Sequence, residues 1–240
     1  MKKANLTIAV VIACLSVSIL SSCRFNCVHG SGKLVTEQRK ANDFKKIEIT
    51  GAFKIHLKQD SSSSITVIGD DNLLKYVSTS VDGDKLTIKS TKSMCFDDSL
   101  IVTVGIRQLN EIKSSGAVDL LSIGKITAND LKIGLSGASK ANLDLSVANL
   151  STHSSGVAKL SFKGQAASYN LESSGLTKIN AFDFVVGDYT ISTSGASECK
   201  INVLKTLNVH SSGASEIDYK GSPSTVNNDK SGASKIKKVD

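Results

Sequence analysis

The chain has 240 residues, 40% of them hydrophobic, enough for one domain with a core of its own. Aromatics make up only 5%, tryptophan is absent and proline occurs once, so the core must be aliphatic and thin. Basic residues outnumber acidic ones by 29 to 22, a mildly basic balance that slightly favours acidic glycans or lipid head groups. No run of Lys and Arg with interleaved aromatics is present, which excludes the usual footprint of a nucleic-acid binder.

The amino terminus reads as an address. Met1-Lys2-Lys3 is followed by an apolar run from Leu6 to Leu20, a secretory signal too short to stay in a bilayer as a span. Leu20-Ser21-Ser22-Cys23 resembles the bacterial lipobox, so Cys23 is expected to become the first mature residue and to carry lipid. Diacylglycerol on its thiol and an acyl chain on its amine would anchor stably, where one chain is marginal. Residues 1–22 are then the signal peptide, and residues 23–31 the lipidated Cys and a flexible tether ending in Gly30-Ser31-Gly32. Cys14 leaves with the signal. Cys27, Cys95 and Cys199 remain in an oxidising compartment. One disulfide can form among them, Cys27–Cys95 for example, but spacing does not fix the pair. There is no C-x-x-C motif, so no metal or cofactor is expected.

Residues 32–240 form a single domain whose first part is loosely patterned. Ile47-Glu48-Ile49 and Phe53-Lys54-Ile55-His56-Leu57 alternate apolar and polar residues as half-buried strands do. Ile65–Ile68 and Leu100–Val104 are further strands. Asp70-Asp71-Asn72 offers a cap to a short helical turn reaching Tyr76. Asp82-Gly83 predicts a hairpin turn between Tyr76–Val81 and Lys85–Lys89. Thr50-Gly51-Ala52 is an early copy of a phrase that dominates the second half. Residues up to 110 therefore read as a wider, less regular start of one winding, and as its cap.

From about residue 111 the phrase Ser-Gly-Ala-Ser recurs. Its glycines are Gly116, Gly137, Gly156, Gly175, Gly195, Gly213 and Gly232, about 19 residues apart, the mark of a solenoid. Serine precedes every one of them. Glycine can turn the chain sharply at positive φ, and serine can bond its own backbone there or the next copy. Residues four before the glycines (Ile133, Leu171, Ile191), six before (Leu150, Tyr169, Tyr189) and four after (Leu160, Ile179, Ile217) are largely apolar. Odd offsets are mostly polar. This is period two on both sides of one turn, with the even offsets inside. The prediction is an all-β fold, a parallel β-helix of ~19-residue coils stacked ~4.8 Å apart, and crossover chirality favours right-handed winding. Cys199 falls on an inward position, a buried inert thiol.

Two outward columns carry what chemistry there is. Three residues before the glycines run His153, Glu172, Ser192, His210 and Asp229, a speculative metal or acid–base column against a plain solvated ladder. Three residues after run Asp119, Lys140, Lys159, Lys178, Glu198, Glu216 and Lys235. Lys140, Lys159 and Lys178 on successive rungs form a possible strip for acidic polysaccharide, against a screened surface stripe. Arginine is scarce and no G-x-S-x-G elbow occurs, so no catalytic residues are assigned.

The segment Phe44 to Phe53, Asp71-Asn72-Leu73-Leu74 and the recurring Ser-Gly-Ala-Ser are similar to the auto-transporter adhesin, head GIN domain family, a resemblance covering about residues 30–240. It implies a β-helix-like fold, often a Bacteroidetes lipoprotein, and no settled activity. The expected function is a non-enzymatic, lipid-anchored envelope module, adhesin-like, on the outer membrane. Its partners would be the membrane through the anchor and a glycan or envelope protein, with no nucleic acid. A polysaccharide-active enzyme on the same scaffold and a periplasmic sensing or regulatory module are the alternatives.

Overall fold

The structure is a computed structural model that describes residues 27–95 and 100–239. The expected signal peptide, residues 1–22, and the expected lipidation site Cys23 lie outside the described residues. Strands β1 (Val28–His29), β2 (Leu34–Lys40), β3 (Lys46–Gln59) and β4 (Ser64–Asp70) come first, then a 3-10 turn, Leu74–Tyr76. The hairpin β5 (Val77–Asp82) and β6 (Lys85–Ser90) follows, with β7 (Met94–Cys95) and β8 (Ile101–Ile106). The regular winding is β9 (Glu111–Ser154), β10 (Val157–Ser173), β11 (Leu176–Thr193), β12 (Ala196–Ser211), β13 (Ala214–Lys220), β14 (Thr225–Lys230) and β15 (Ser234–Lys238). β3 to β15 pair in parallel along the stack, through β9, β10, β11 and β12. The molecule is a parallel β-solenoid, as the period predicts.

The glycine phrase sets the register. Gly51 pairs with Gly116, so Thr50-Gly51-Ala52 is indeed a first copy of it. A Cβ added at Gly116, Gly137, Gly156, Gly175, Gly195, Gly213 or Gly232 would strike the carbonyl oxygen of the preceding hinge glycine, in each case inside the 3.0 Å that real Cβ atoms keep. The eight hinges from Gly51 to Gly232 thus pile into one corner, roughly 34 Å long at seven steps of ~4.8 Å. The reason for glycine differs from the expected one. Gly51, Gly116, Gly137 and Gly232 take positive φ, while Gly156, Gly175, Gly195 and Gly213 do not. What the seven hinges from Gly116 to Gly232 share is close approach to the backbone of the preceding hinge, which leaves no room for a side chain.

Departures from a 19-residue interval are absorbed away from the hinge. Register between β10 and β11 holds from Val157↔Leu176 to Ser161↔Asn180, then shifts before Gly164↔Phe184. β11 and β12 shift between Ala181 and Val185 and again before Asp188. The hinge-flanking segments therefore stay in line, which keeps side-chain columns continuous on both sides of the corner.

Inside, the even offsets are buried as the pattern requires. Leu160, Ile179, Cys199 and Ile217 stack on successive rungs, as do Leu171, Ile191 and Val209. The aliphatic core holds one aromatic knot: Phe162, Tyr169, Phe184 and Tyr189 are all buried, and the Tyr169 and Tyr189 rings are 4.7 Å apart. On the last rung Val226 and Asn228 are exposed and Ile236 is half-buried, because no further coil covers them.

Two residues before and after each hinge lies a row that sequence patterning does not single out. Ser114, Ser139, Ser154, Ser173, Thr177, Thr193, Ser197, Ser211 and Ser215 are buried just beneath the corner. Except for that of Ser197, which has no partner, their hydroxyls bond one another: Ser114 with Ser139 at 3.2 Å, Ser173 with Thr177 at 2.6 Å, Thr193 with Ser211 at 3.1 Å and with Ser215 at 2.9 Å. Pairing hydroxyls with each other is what makes their burial tolerable. The serines immediately before the hinges, in contrast, point outward and are mostly exposed. Among them only Ser136 bonds backbone through its hydroxyl, to the Ser114 carbonyl at 3.1 Å.

The first part closes one end of the stack. β3 still pairs in parallel with β6, β8 and β9. Beyond it the sheet turns antiparallel: β4 with β8, β2 with β4, and β5 with β6. Arg39 on β2 donates to the Leu74 and Val77 carbonyls and so ties the outermost strand to the turn and hairpin. Antiparallel strands without repeat partners are a means of ending a solenoid edge. Gly83 and Asp84 form the two-residue turn of the β5–β6 hairpin, with Gly83 at φ +58°. The 3-10 turn exists, but Asp70, Asp71 and Asn72 do not cap it; Leu73 stands at its start with no side-chain cap. Instead Asn72 accepts from Ser31 N and donates to the His29 carbonyl, and Asp71 accepts from the Ser31 hydroxyl. With the Cys27–Cys95 disulfide, these bonds pin residues 27–31 to the cap, so that part of the tether is held rather than free.

Candidate functional site

The winding places two outward columns, one on each side of the hinge corner. Upstream of the hinge, strand register aligns His153, Glu172, Ser192, His210 and Asp229 in the predicted order. His153 Nδ1 lies 3.4 Å from Glu172 Oε2, and His210 Nδ1 lies 3.8 Å from Asp229 Oδ2. All four side chains are more than half exposed. The column is thus two separate His–carboxylate pairs with Ser192 between them, not one centre. Glu172 is steadied further by Asn170, which donates to its other oxygen at 3.2 Å.

That column is one wall of a groove, which its sequence does not announce. A cavity of about 430 Å³ runs over five rungs, lined by the His–carboxylate column and by Ser174, Ser194, Ser212 and Ser231. A second cavity of about 290 Å³ continues it toward the cap, past Lys113 and Ser136 to Glu48, with His153 bordering both. Ser173, Thr193 and Ser211 of the buried hydroxyl row also line the first cavity, between its two outward columns.

Downstream of the hinge lie Lys140, Lys159 and Lys178, adjacent in register. Lys178 is not a free cation. Its Nζ is 2.6 Å from Glu198 Oε2, and Lys200 approaches the same carboxylate at 3.7 Å. The hydrogen bond from Lys178 and the charges of both lysines hold the Glu198 carboxyl below its ordinary range. Among the described residues Lys140 and Lys159 have no ion-pair partner. Beside them the column nearest the hinge carries Val157 and Leu176, 55% and 56% exposed on paired positions. The strip is therefore two free lysines and one neutralised lysine along an apolar edge.

Other groups do not assemble chemistry. Among the described residues, the His, Cys, Asp and Glu ligand atoms that gather in a group of three or more within 4.8 Å of one another are those of Cys27, His29 and Cys95, and the two sulfurs are bonded to each other. Cys199 is free and buried, and burial pushes its thiol up to about 12, far from a nucleophile's range. Tyr169, also buried, donates to the Thr152 hydroxyl at 3.1 Å. No helix among the described residues is long and apolar enough to cross a membrane.

A capped β-solenoid with ligand-sized grooves on its flanks defines the class. The chain belongs to the family described as "putative auto-transporter adhesin, head GIN domain", whose model matches residues 43–223. Solved structures share the fold. A "putative adhesin" from Bacteroides fragilis is 24% identical with a TM-score of 0.82, covering 88% of this chain and 100% of that one. A "putative lipid binding protein" from Parabacteroides distasonis is 20% identical with a TM-score of 0.69, covering 90% and 100%. A "putative adhesin" from Parabacteroides merdae is 22% identical with a TM-score of 0.61, covering 89% and 99%. No curated protein matches the chain.

Proposed function

We propose that this chain is a lipid-anchored, non-enzymatic module of the bacterial outer membrane, adhesin-like, that binds an anionic envelope or surface glycan along the Lys140–Lys159–Lys178 strip. The carrying observation is the pair Lys140 and Lys159 on adjacent rungs, neither with an ion-pair partner among the described residues. Two like charges that close cost stability unless a ligand or salt screens them. The family and the solved relatives described as adhesins are in keeping with a binding role rather than turnover. The lipobox-like Leu20-Ser21-Ser22-Cys23 supplies the anchor. Cys23 precedes Cys27 by four residues, a reach of at most ~14 Å, and Cys27 is bonded to the cap. The cap would face the membrane, and the rod would present its flanks above it.

The test is retention on acidic polysaccharide at rising salt. Wild type should elute with a salt-dependent midpoint, and Lys140→Ser with Lys159→Ser together should abolish retention. Lys178→Ser alone should have a smaller effect, because Glu198 already holds that charge. Equal retention of the double variant would remove the strip from the function.

A further inference from the structure

The serine before each hinge from Gly156 onward has no structural duty that accounts for it. Ser155, Ser174, Ser194, Ser212 and Ser231 are exposed, and their hydroxyls have no partner among the described residues. Packing would accept Ala, Asn or Lys at an outward position. Yet the same hydroxyl recurs on rung after rung, and it faces the His–carboxylate column across the groove of about 430 Å³.

We propose that this groove binds an extended, uncharged polysaccharide lying along the solenoid axis, about one sugar ring to each rung. Three physical arguments select that occupant. The first is spacing. The walls repeat every ~4.8 Å, close to the advance of one ring in an extended glycan. A peptide strand advances ~3.3 Å per residue and would drift out of step within two rungs. The second is charge. Among the described residues this cavity is lined by the carboxylates of Glu172 and Asp229 and by no lysine or arginine, so a polyanion, whether nucleic acid or acidic glycan, is repelled. The third is chemistry. Carboxylates accept two hydroxyl hydrogens at once, serine hydroxyls both donate and accept, and imidazole offers one of each. This is a donor–acceptor set for vicinal diols. Each His–carboxylate pair holds its two partners at fixed height on neighbouring rungs, three rungs from the other pair.

The site lies upstream of the hinge, and the lysine strip lies downstream of it, so the two readings stand or fall separately. The experiment is calorimetric titration of the full-length chain in detergent with uncharged α- and β-linked oligosaccharides of two to seven rings. Affinity should rise with each ring up to five, the number of rungs lining the cavity, and then level off. His153→Ala with His210→Ala should lower affinity for the pentasaccharide at least tenfold. The triple variant Ser174→Ala, Ser194→Ala, Ser212→Ala should do the same, and neither should move the melting temperature. Three results would overturn the proposal: no binding across the panel, affinity independent of length, or wild-type affinity in the histidine variant. Loss of melting temperature in the serine variant with glycan affinity intact would assign the serines to the turn instead. Heparin or an extended polyserine peptide displacing the glycan would likewise overturn it.

Discussion

Gly175→Ala is the sharpest probe of the winding. Gly175 has an ordinary φ, so alanine costs nothing in backbone conformation there. Its Cβ, however, would meet the carbonyl oxygen and carbon of Gly156 inside 3.0 Å. That same oxygen accepts the rung hydrogen bond from Leu176 N at 3.0 Å. To clear the methyl group the two coils must part by about 1 Å, which breaks the bond. Overpacking of a tight interior costs about 1–3 kcal/mol and a lost backbone hydrogen bond about 1 kcal/mol. The sum, roughly 2–4 kcal/mol, corresponds to a drop in melting temperature of roughly 5–15 °C for a chain of this size. Gly83→Ala is the control. It sits at φ +58° with nothing within 4 Å of the new Cβ, so it should lose only about 1–2 kcal/mol for left-handed backbone. Thermal and urea melts of both variants decide the matter. A Gly175→Ala protein that melts with wild type, or a Gly83→Ala protein that loses more, would refute the stacked corner.

Four further predictions concern the interior and the cap. Ser197 is buried with its hydroxyl unpartnered, and Ala158 fills the equivalent place two coils earlier, so Ser197→Ala should be neutral or stabilising by up to ~1 kcal/mol in urea. Ser211→Ala should instead lose about 1–3 kcal/mol, since its hydroxyl links Thr193, Ser215 and Ser234. Alkali should destabilise the fold: the unfolded Cys199 thiol ionises near 9.0 while burial holds the folded one to about 12, so this contribution is full below pH 9 and is lost between pH 9 and 12. Burial raises Tyr169 and Tyr189 as well, adding to the fall above pH 10, and Cys199→Ala should flatten the urea midpoint against pH by about one proton's worth of slope. Reducing Cys27–Cys95, which closes a separation of 68 residues, should cost about 2–4 kcal/mol; hydrogen exchange should localise the loss to β2 and β4 while amides from Val157 onward stay protected.

The winding was legible because two periods agree. An interval near 19 places Gly137, Gly156 and Gly175 at one corner, and alternation places Leu160 and Ile179 inside and Lys159 and Lys178 outside; either alone permits other folds. The columns followed from that register without further information. The buried hydroxyl row was not legible as an inward one, because Val118, Leu135 and Ala158 interrupt it and serine taken alone reads as an outward residue. What unites them is a place beneath a corner too narrow for large side chains on every rung. Strand β2 escaped notice because Leu34–Lys40 pairs antiparallel at the edge with only Val35 and Arg39 half-buried. The groove escaped because concavity is a property of the folded surface, and Glu172 or Ser174 reads the same in sequence on a flat face.

The same physics that makes the hinge invariant makes the flanks usable. Because insertions such as the extra residue between Asn180 and Phe184 are taken up away from the hinge, residues within four positions of each glycine keep one height per rung. A substitution there changes a column at a known step and leaves its neighbours in place. A surface of this kind can alter from Lys178 to Glu198 to Glu216, or from His153 to Glu172, without repacking the core, since each outward side chain shares only a rung boundary with the next. Recognition is thereby separated from folding: glycine and the inward aliphatics hold the coil, and the two flanks can diverge independently. Among the described residues the downstream flank, with Lys140 and Lys159 unpaired, and the upstream flank, with Glu172 and Asp229 but no lysine or arginine in its main cavity, show that divergence within one chain.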